Sequence, residues 1–320
     1  MKITLRWYFG SVKIEGLDSV PRDKPLLVTP NHQNAFLDAL LTGAYIPIPL
    51  HILTRADIFN RWTKPLLSLL NMMPIYRIRD GYAKLSQNDA VFETCKALFR
   101  SDKSVLIFAE GNHGEHHYLR PLTKGAARIS IFSQQAMQED LYVLPVGVNY
   151  FQHQSSRSGV VLVFGAPVSV REYEKRYEEE GAKGLLAMRD AISDGMKKTL
   201  VIPEKIEDYE VLKETIFQEK HIGLSLDELR KIPENTKVEA KRVKGKIAKV
   251  LNPLPFLTIR RVLSGVQDKV FISSAKFATA LVAFPVWWLI VFFSVGFAFG
   301  FKIALLTVFV MIFGLFYSYS

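Results

Sequence analysis

The chain of 320 residues is 49% hydrophobic and 22% charged, which excludes disorder over most of its length and leaves room for one large domain with appendages. The formal net charge is +10, but residues 237–276 hold ten Lys or Arg and two acids and so contribute +8 of it. The basic character is therefore local. The single cysteine, Cys95, excludes an internal disulfide.

Short apolar runs alternate with longer segments of helical periodicity over the first 200 residues. The apolar runs predict strands at residues 26–30, 51–54, 74–77, 104–110, 141–148 and 160–164. The periodic segments predict helices at residues 35–45, 59–71, 82–100, 122–138 and 170–199. This alternation is typical of an α/β fold with a mostly parallel sheet flanked by helices. Ligands of such sheets bind beyond the carboxyl ends of the strands, so polar residues that follow strands are the candidate site residues.

His32 follows the first predicted strand, and Asp38 comes six residues later. On a continuous helix the two side chains would point to opposite sides, so they can meet only if the chain bends between them. Asn34 is a good N-cap, which predicts that a helix begins at Ala35 and leaves His32 in the preceding turn. An aspartate that accepts from one imidazole nitrogen fixes the tautomer and frees the other nitrogen to act as a base toward an alcohol. The alternative is a histidine that caps a turn and an aspartate on a solvated helix face.

Glu110 and Gly111 stand where a later predicted strand ends. A carboxylate at that position can hold a substrate hydroxyl or orient a basic side chain. The alternative is an ordinary turn that terminates the strand.

Several cations also follow predicted strands or open a helix. Arg77 and Arg79 have the same parity, so they would point the same way, and Lys124 opens a predicted helix with Arg120 just upstream. Arginine binds phosphate through two nitrogens, and helix N-termini attract anions, so these residues predict a phosphorylated substrate. The alternative for each is a surface cation.

A cluster of His113, His116 and His117 with Glu115 lies in a predicted loop. We interpret these as loop histidines; a metal site is the alternative, although the sequence completes no set of four ligands at tetrahedral spacing. Cys95 lies among apolar residues of a predicted helix, which indicates a packed side chain rather than a nucleophile. We therefore expect no metal and no cofactor.

The character of the sequence changes after residue 205. Residues 206–220 predict an amphipathic helix, and the basic residues 237–276 are interspersed with apolar side chains. Residues 277–299 carry no charge, and after an interruption at 300–302 residues 303–317 are again uncharged. These two segments predict a transmembrane helical hairpin, with a buried helix pair as the alternative. The hairpin predicts an integral membrane protein. The Lys and Arg before the first span predict that its catalytic domain faces the cytoplasm and that they attract anionic membrane lipids.

Four blocks along the chain resemble, in the same order, those of the glycerolipid acyltransferase superfamily, which includes lysophosphatidate and glycerol-3-phosphate acyltransferases. They are Asn31-His32 with Asp38, Pro74-Ile75-Tyr76-Arg77, Phe108-Ala109-Glu110-Gly111 and Leu144-Pro145-Val146. Residues 122–128 also resemble the stretch that usually follows the third block. The resemblance extends over residues 10–200 of the 320.

Three positions depart from the pattern of that superfamily. Five residues separate His32 from Asp38 instead of four, Ala109 replaces a proline, and Asn112-His113 stands where Thr-Arg is common. These departures bear on the identity of the acceptor more than on the type of reaction.

The resemblance implies that His32 and Asp38 are catalytic and that Arg77 and Glu110 serve the acceptor. The implied reaction moves an acyl chain from acyl-CoA or acyl-carrier protein, as co-substrate, to a hydroxyl of glycerol-3-phosphate or 1-acylglycerol-3-phosphate in phospholipid synthesis. One alternative is an O-acyltransferase for an amino-acid or sugar lipid, and another is a non-catalytic lipid-binding membrane adaptor. Nucleic acid is not an expected partner, because apolar spans adjoin the basic segment.

Three parts of the chain are expected. They are an acyltransferase domain at residues 1–205, a basic and mostly helical juxtamembrane segment at 206–276, and the transmembrane hairpin at 277–320. The sequence leaves the oligomeric state open.

Overall fold

A central sheet of eight strands organises the protein, for which a computed structural model describes residues 1–61, 63–76, 87–232 and 246–317. The strands are β1 Val12–Glu15, β2 Leu26–Pro30, β3 Leu50–Arg55, β4 Met72–Ile75, β5 Ser104–Leu106, β6 Tyr142–Tyr150, β7 Val160–Phe164 and β8 Val168–Ser169. They lie in the order β1-β7-β6-β2-β5-β3-β4, and β8 pairs with β6.

Most neighbouring strands are parallel. Only β7 and β8 run antiparallel to β6 among the pairs of the described sheet. The central strand β2 pairs Leu27 with Val105 of β5 and Val28 with Leu144 of β6. The predicted α/β fold with a mostly parallel sheet is confirmed. The carboxyl ends of β2, β3, β5 and β6 consequently meet at one edge of the sheet, and this edge carries the candidate site.

Helices cover both faces of the sheet, and further helices follow it. The described helices, apart from short 3₁₀ turns, are α1 Lys2–Phe9, α2 Phe36–Tyr45, α3 Lys64–Leu69, α4 Gln87–Arg100, α5 Gly125–Gln134, α6 Arg171–Glu180, α7 Ala182–Lys198, α8 Tyr209–Ile216, α9 Leu226–Arg230, α10 Lys246–Leu251, α11 Pro253–Leu263, α12 Ile272–Phe299 and α13 Phe301–Tyr317.

The alternation of side chains along β2 divides the core into two layers. Leu26 and Val28 are fully buried on the face covered by α1 and α2. Leu27 is buried on the other face, against α4, α5 and α7. Cys95 of α4 belongs to this second layer, where burial raises the pKa of its thiol to about 12. Its predicted role as a packed side chain is confirmed.

Several predicted elements have different ends in the structure. The strand predicted at 104–110 stops at Leu106, because the chain then turns and the Gly111 amide donates to the Phe108 carbonyl at 3.0 Å. Gly111 has a φ of +76°, which favours glycine. The helix predicted at 170–199 divides at Gly181, whose φ is +57°. The helices predicted at 59–71, 122–138 and 206–220 are shorter than expected, and the first part of the helix predicted at 82–100 lies outside the described residues.

The C-terminal helices α12 and α13 fold back on each other at Gly300. A Cβ placed on Gly296 would lie 3.6 Å from Cβ of Ala304, and the rings of Phe292 and Phe301 are 5.4 Å apart. The predicted pair of helices is therefore present, with its turn confined to Gly300 rather than spread over residues 300–302.

Within the described residues, one helix is long and apolar enough to cross a membrane, at Lys269–Phe299. Only 6% of its most apolar stretch is buried inside the protein, which argues against a buried core helix. The second helix is shorter. That the two together span a bilayer stays a prediction.

Candidate active site

The side chain of Asn31 carries β2 into the turn that holds His32. Its amide nitrogen donates to the Val148 carbonyl at 3.1 Å, and its oxygen accepts from the Val148 amide. Asn31 thereby imitates one more ladder pair with β6 after β2 has ended. This brings the backbone of His32 to the carboxyl edge of the sheet in a fixed position.

His32 and Asp38 are in direct contact, as the sequence predicted. Nδ1 of His32 lies 2.9 Å from Oδ2 of Asp38. The same oxygen accepts the backbone N–H groups of Gln33 at 2.9 Å and Asn34 at 2.8 Å. Asp38 is completely buried, whereas the imidazole keeps 13% of its surface exposed. A carboxylate with these donors holds the Nδ1–H tautomer and leaves Nε2 of His32 as the basic nitrogen.

The turn between the two residues differs from the prediction that Asn34 caps α2. That prediction was wrong, because Ala35 occupies the N-cap position and no side chain caps the helix. The backbone instead wraps around the carboxylate of Asp38, and Ala35 adopts a φ of +46°. The side chain of Asn34 points elsewhere, donating to the carbonyl of His153 at 3.0 Å.

Tyr150 at the end of β6 is a residue that sequence reasoning missed. Its hydroxyl donates to Oδ1 of Asp38 at 2.7 Å, so both carboxylate oxygens are engaged. Burial, and next the charge of Asp38, raise the pKa of Tyr150 well above its usual value, so it stays a donor. A tyrosine among the apolar residues of a strand is most often a packed core side chain, so the sequence gave no signal of this role.

Glu110 fixes the other side of the His32 turn. Its Oε1 accepts the backbone N–H of His32 at 2.6 Å, and its Oε2 lies 2.7 Å from Nε of Arg120. Arg120 also donates its own backbone N–H to Oε2 at 3.2 Å. Glu110 thus orients the basic side chain of Arg120, as one of its two predicted roles requires, while its binding of a substrate hydroxyl stays a prediction.

The ionisation of Glu110 depends on two opposed effects. Burial raises the pKa of its carboxyl from 4.5 to about 7, although the guanidinium of Arg120 and the two backbone donors oppose this rise. The charged form is therefore less favourable inside the protein than in water, and the Arg120 contact only partly offsets the lost hydration.

The ring of Phe108 lies flat against the imidazole of His32. The two ring centroids are 3.7 Å apart and the planes are inclined by 13°. This contact covers one face of the imidazole and restricts its rotation. A substrate can therefore approach His32 only from the uncovered directions.

The part of the chain that carries these residues also matches a known family. The family model named Acyltransferase matches residues 11–149, which include His32, Asp38, Phe108, Glu110 and Arg120. Residues 11–149 belong to the acyltransferase family. The resemblance to the glycerolipid acyltransferase superfamily is thereby confirmed.

Two curated proteins are similar to the acyltransferase region. An uncharacterized acyltransferase, C1718.04, of Schizosaccharomyces pombe is 30% identical over 133 residues, which are 38% of this chain and 19% of that protein. Glycerol-3-phosphate O-acyltransferase 1 of Saccharomyces cerevisiae is 26% identical over 135 residues, 41% of this chain and 17% of that protein. The chain therefore spans less than a fifth of the length of each of these relatives.

Among solved structures, the 1-acyl-sn-glycerophosphate (LPA) acyltransferase PlsC of Thermotoga maritima is similar at 16% sequence identity. The match has a TM-score of 0.44 and covers 62% of this chain and 75% of that one.

The segment before α12 reaches the candidate site, a contact that the sequence did not suggest. Oδ2 of Asp268 lies 3.0 Å from Nε2 of His113, and the ring of Phe271 is 5.0 Å from the same imidazole. His113 in turn places its edge against His32 at 5.6 Å. Burial lowers the pKa of His113, so the neutral ring donates Nε2–H to Asp268, and this hydrogen bond lowers the pKa of Asp268.

The first turn of α12 also supports the turn that holds His32. The hydroxyl of Ser273 donates to the carbonyl of His153, and that of Ser274 donates to the Asn34 carbonyl at 3.4 Å. His153 is buried and its pKa is lowered to about 4, so the neutral ring donates Nε2–H to Gln33 at 3.0 Å. The start of the apolar helix is thus packed directly behind the His32 turn.

The other histidines of the predicted loop cluster have separate surroundings. His117 is buried with its pKa far below the usual value, and its Nε2–H donates to the Tyr150 carbonyl at 3.0 Å. His116 stacks on Tyr118 with centroids 5.0 Å apart. Glu115 accepts from the amide of Gln154 at 2.8 Å. His117 consequently steadies the backbone of Tyr150, the residue that holds Asp38.

The predicted phosphate-binding cations are only partly described. Arg77 and Arg79 lie outside the described residues. Lys124 is exposed at the start of α5, next to Thr123, whose hydroxyl donates to the Ala109 carbonyl at 3.0 Å. A Cβ on Gly111 would clash with Thr123 at 2.8 Å, so Lys124 begins its helix close to the Glu110–Gly111 turn.

Proposed function

We propose that the protein transfers an acyl chain from an acyl thioester to a hydroxyl of glycerol-3-phosphate or 1-acylglycerol-3-phosphate, with His32 as the general base. The observation that carries this proposal is the 2.9 Å contact between His32 Nδ1 and a buried Asp38 at the ligand-binding edge of an acyltransferase-family domain. The thioester is that of coenzyme A or of acyl-carrier protein. The reaction requires no metal or cofactor.

The proposed reaction uses a single base. Nε2 of His32 removes the proton of the acceptor hydroxyl as the oxygen attacks the thioester carbonyl, and Asp38 stabilises the imidazolium that forms. The tetrahedral intermediate then collapses, the carbon–sulfur bond breaks, and the imidazolium returns its proton to the leaving thiolate. The products are an ester and a free thiol. Base catalysis of this kind contributes about 10²–10⁴-fold, and alignment of the two substrates adds more.

The acceptor phosphate is proposed to bind cations at the same edge of the sheet. Lys124 is an exposed cation close to the Gly111 turn, Arg77 ends the second block, and Arg79 follows two residues later. Arg120 is less suited to bind phosphate, because its Nε is already paired with Glu110 and its side chain is only 16% exposed. We propose that Arg120 holds the site together while Lys124, Arg77 and Arg79 bind the phosphate.

The C-terminal helices are proposed to anchor this domain to a membrane. Large apolar side chains such as Phe293 and Phe297 of α12 and Phe309 of α13 are 63–97% exposed, which favours lipid as their surroundings. The Lys and Arg that precede α12 favour a cytoplasmic face and attract anionic lipids. Since Asp268 just before this helix and Ser274 in its first turn contact the site, the anchor would hold the reaction at the bilayer surface.

An assay with a panel of acceptors tests the proposed substrates. Full-length protein in detergent would receive labelled oleoyl-CoA or oleoyl-acyl-carrier protein together with glycerol-3-phosphate, 1-oleoylglycerol-3-phosphate, glycerol or monooleoylglycerol. We expect ester formation with the phosphorylated acceptors and little with their unphosphorylated counterparts. Transfer that does not depend on the phosphate would favour an amino-acid or sugar lipid as acceptor. Lipid binding without any transfer would favour the non-catalytic adaptor.

The contact between Asp268 and His113 gives a second prediction. The variant Asp268→Asn keeps a side-chain oxygen that can accept from Val270 but weakens the contact with His113 beside the base. Because one hydrogen bond of this kind contributes about 1 kcal/mol, we expect kcat to fall about fivefold, with the protein still extracted in the membrane fraction. Asp227→Asn, an exposed acid of α9, is the matched control and should leave kcat unchanged. An unaltered kcat for Asp268→Asn would show that the contact between Asp268 and His113 does not contribute to catalysis.

A further inference from the structure

A cavity of about 450 Å³ lies between the N-terminal helix α1 and the start of the C-terminal hairpin. Its apolar wall is formed by aromatic and aliphatic side chains of α1, α11, α12 and α13, including Trp7, Tyr8, Phe256, Phe277, Phe284 and Leu315. Neither His32 nor Asp38 nor Glu110 lines it. The first turn of α12 contacts the carbonyls of Asn34 and His153, and Lys276 and Phe277, which follow that turn, line the cavity.

Three cations line this otherwise apolar cavity. They are Arg157, Lys249 and Lys276, and none of the described residues that line it is acidic. Lys276 is held in place, since its Nζ donates to the Gln154 carbonyl at 2.6 Å. The described residues of the wall thus combine positively charged side chains with an apolar surface, which complements an anionic ligand that carries an apolar chain.

The backbone at Arg157 is also held in an unusual conformation. Its φ is +57°, in the left-handed region that non-glycine residues rarely adopt, and its amide donates to the Tyr8 carbonyl at 2.6 Å. The next contact with α1 comes from Gly159, whose amide donates to Phe9. These bonds fix the loop that carries Arg157 to α1, which also lines the cavity. The cavity is a built feature of the fold rather than a gap between loosely packed helices.

The cations and the apolar wall follow one another along α12. Lys276 lies at the beginning of the cavity and Pro285 at its far end, a separation of about 13 Å at 1.5 Å per residue. A groove of this length can hold part of an extended acyl chain. Leu281 lines the cavity and is 46% exposed, next to Val282 on the bare apolar surface of α12. A chain can thus enter sideways from the hydrocarbon that we propose surrounds this helix.

We propose that this cavity is a binding site for an anionic glycerophospholipid, separate from the site of acyl transfer. The phosphate is bound by Lys276, Lys249 and Arg157, and one acyl chain lies between Phe277 and Phe284 toward Leu315. The bound lipid joins α1 to the hairpin and thereby supports the first turn of α12 behind the turn that holds His32. The proposal uses the membrane location of α12 but does not depend on the reaction catalysed.

Binding of defined lipids to the full chain in dodecyl maltoside tests this site, with native mass spectrometry as the readout. The probes are dioleoylphosphatidylglycerol, dioleoylphosphatidylcholine and glycerol-3-phosphate. We expect one tight site for phosphatidylglycerol and about tenfold weaker binding of phosphatidylcholine, whose headgroup has no net charge. Equal binding of the two lipids would overturn the role of the cations. Binding of glycerol-3-phosphate as tight as that of phosphatidylglycerol would overturn the role of the acyl chain and identify a simple phosphate site.

Two kinds of variant distinguish lipid binding in the cavity from nonspecific attraction of an anionic lipid to exposed cations. Lys249→Gln with Lys276→Gln should weaken phosphatidylglycerol binding about tenfold or more, whereas Lys302→Gln, an exposed cation of α13 outside the cavity, should not. Ala280→Phe fills the cavity without changing charge and should also abolish the tight site. Tight binding that survives the filled cavity would overturn the proposal even if the lysine variants fail to fold.

The catalytic variant His32→Ala separates this inference from the proposed function. It should bind phosphatidylglycerol as the unchanged protein does, because His32 lies outside the cavity. Tight lipid binding by His32→Ala, together with loss of acyl transfer, would support a lipid site that is separate from the site of acyl transfer. Loss of tight lipid binding in His32→Ala would contradict a separate site.

Discussion

Replacing His32 with alanine is expected to lower acyl transfer by about 10²–10⁴-fold, the usual contribution of a positioned general base. The variant removes the imidazole whose Nδ1 contacts Asp38. The carboxylate keeps its hydrogen bonds from Gln33, Asn34 and Tyr150. The turn should therefore remain folded. The initial rate of ester formation at saturating acyl-CoA is the measurement, with membrane extraction as a check on assembly.

Two further variants sharpen this result. His51→Ala is the matched control, because His51 lies near the amino end of β3, away from the edge that carries the site, and should leave the rate unchanged. Asp38→Asn keeps the size of the side chain but no longer stabilises the imidazolium, and we expect a loss in the same range of about 10²–10⁴-fold. Transfer retained by His32→Ala would rule out His32 as the base.

Replacing Glu110 with alanine is expected to destabilise the protein by about 3–5 kcal/mol, as for other buried ion pairs that lose one partner. The variant leaves the largely buried guanidinium of Arg120 without its carboxylate and removes the acceptor of the His32 and Arg120 amides. Activity should fall as well, because the turn that holds His32 loses its support. Thermal unfolding in detergent, followed by circular dichroism, measures the change.

A surface ion pair supplies the control for this variant. Glu139 contacts Lys24 at 3.2 Å, but its side chain is 68% exposed, so Glu139→Ala should change the unfolding free energy by less than about 1 kcal/mol. If the two variants unfold at the same temperature, Glu110 does not act as a buried anchor.

The pH dependence of stability gives a separate test of Glu110. Its pKa in the folded protein, about 7, lies above the 4.5 of a free carboxyl, so the folded state binds its proton more tightly than the unfolded state does. Its contribution to stability is therefore complete below pH 4.5 and is lost as the pH rises through 7. Glu110→Gln cannot titrate, and the fall in stability over this interval should be smaller in that variant than in the unchanged protein.

The contact between His32 and Asp38 could be predicted because it is local. The two residues are six positions apart, and the strand and helix that flank them leave only a short turn to bend. The details of that turn could not be predicted in the same way. Asn34 has a good capping side chain, but that side chain donates to the carbonyl of distant His153, and the helix begins after Ala35 without a side-chain cap.

The supports of the pair could not be predicted, because they come from distant parts of the chain. Asn31 bonds to Val148, 117 residues away, and Asp38 accepts from Tyr150, 112 residues away. Asp268 reaches His113 across 155 residues. The periodicity of a strand indicates which side chains are buried but not which hydroxyl or amide will face a given carboxylate. The central parallel strands, which depend on repeated local patterns, were predicted, whereas the short strands β1 and β8 were not.

The contacts of α12 with the N-terminal half of the chain also constrain how the protein is made. The Tyr8 hydroxyl donates to the carbonyl of Ser273, 265 residues later, and Asn34 accepts from Ser274. Neither bond can form while the ribosome is still adding the intervening sequence. A nascent chain that already contains the histidine and its aspartate consequently waits for the hydrophobic tail before the loop between them is fully packed.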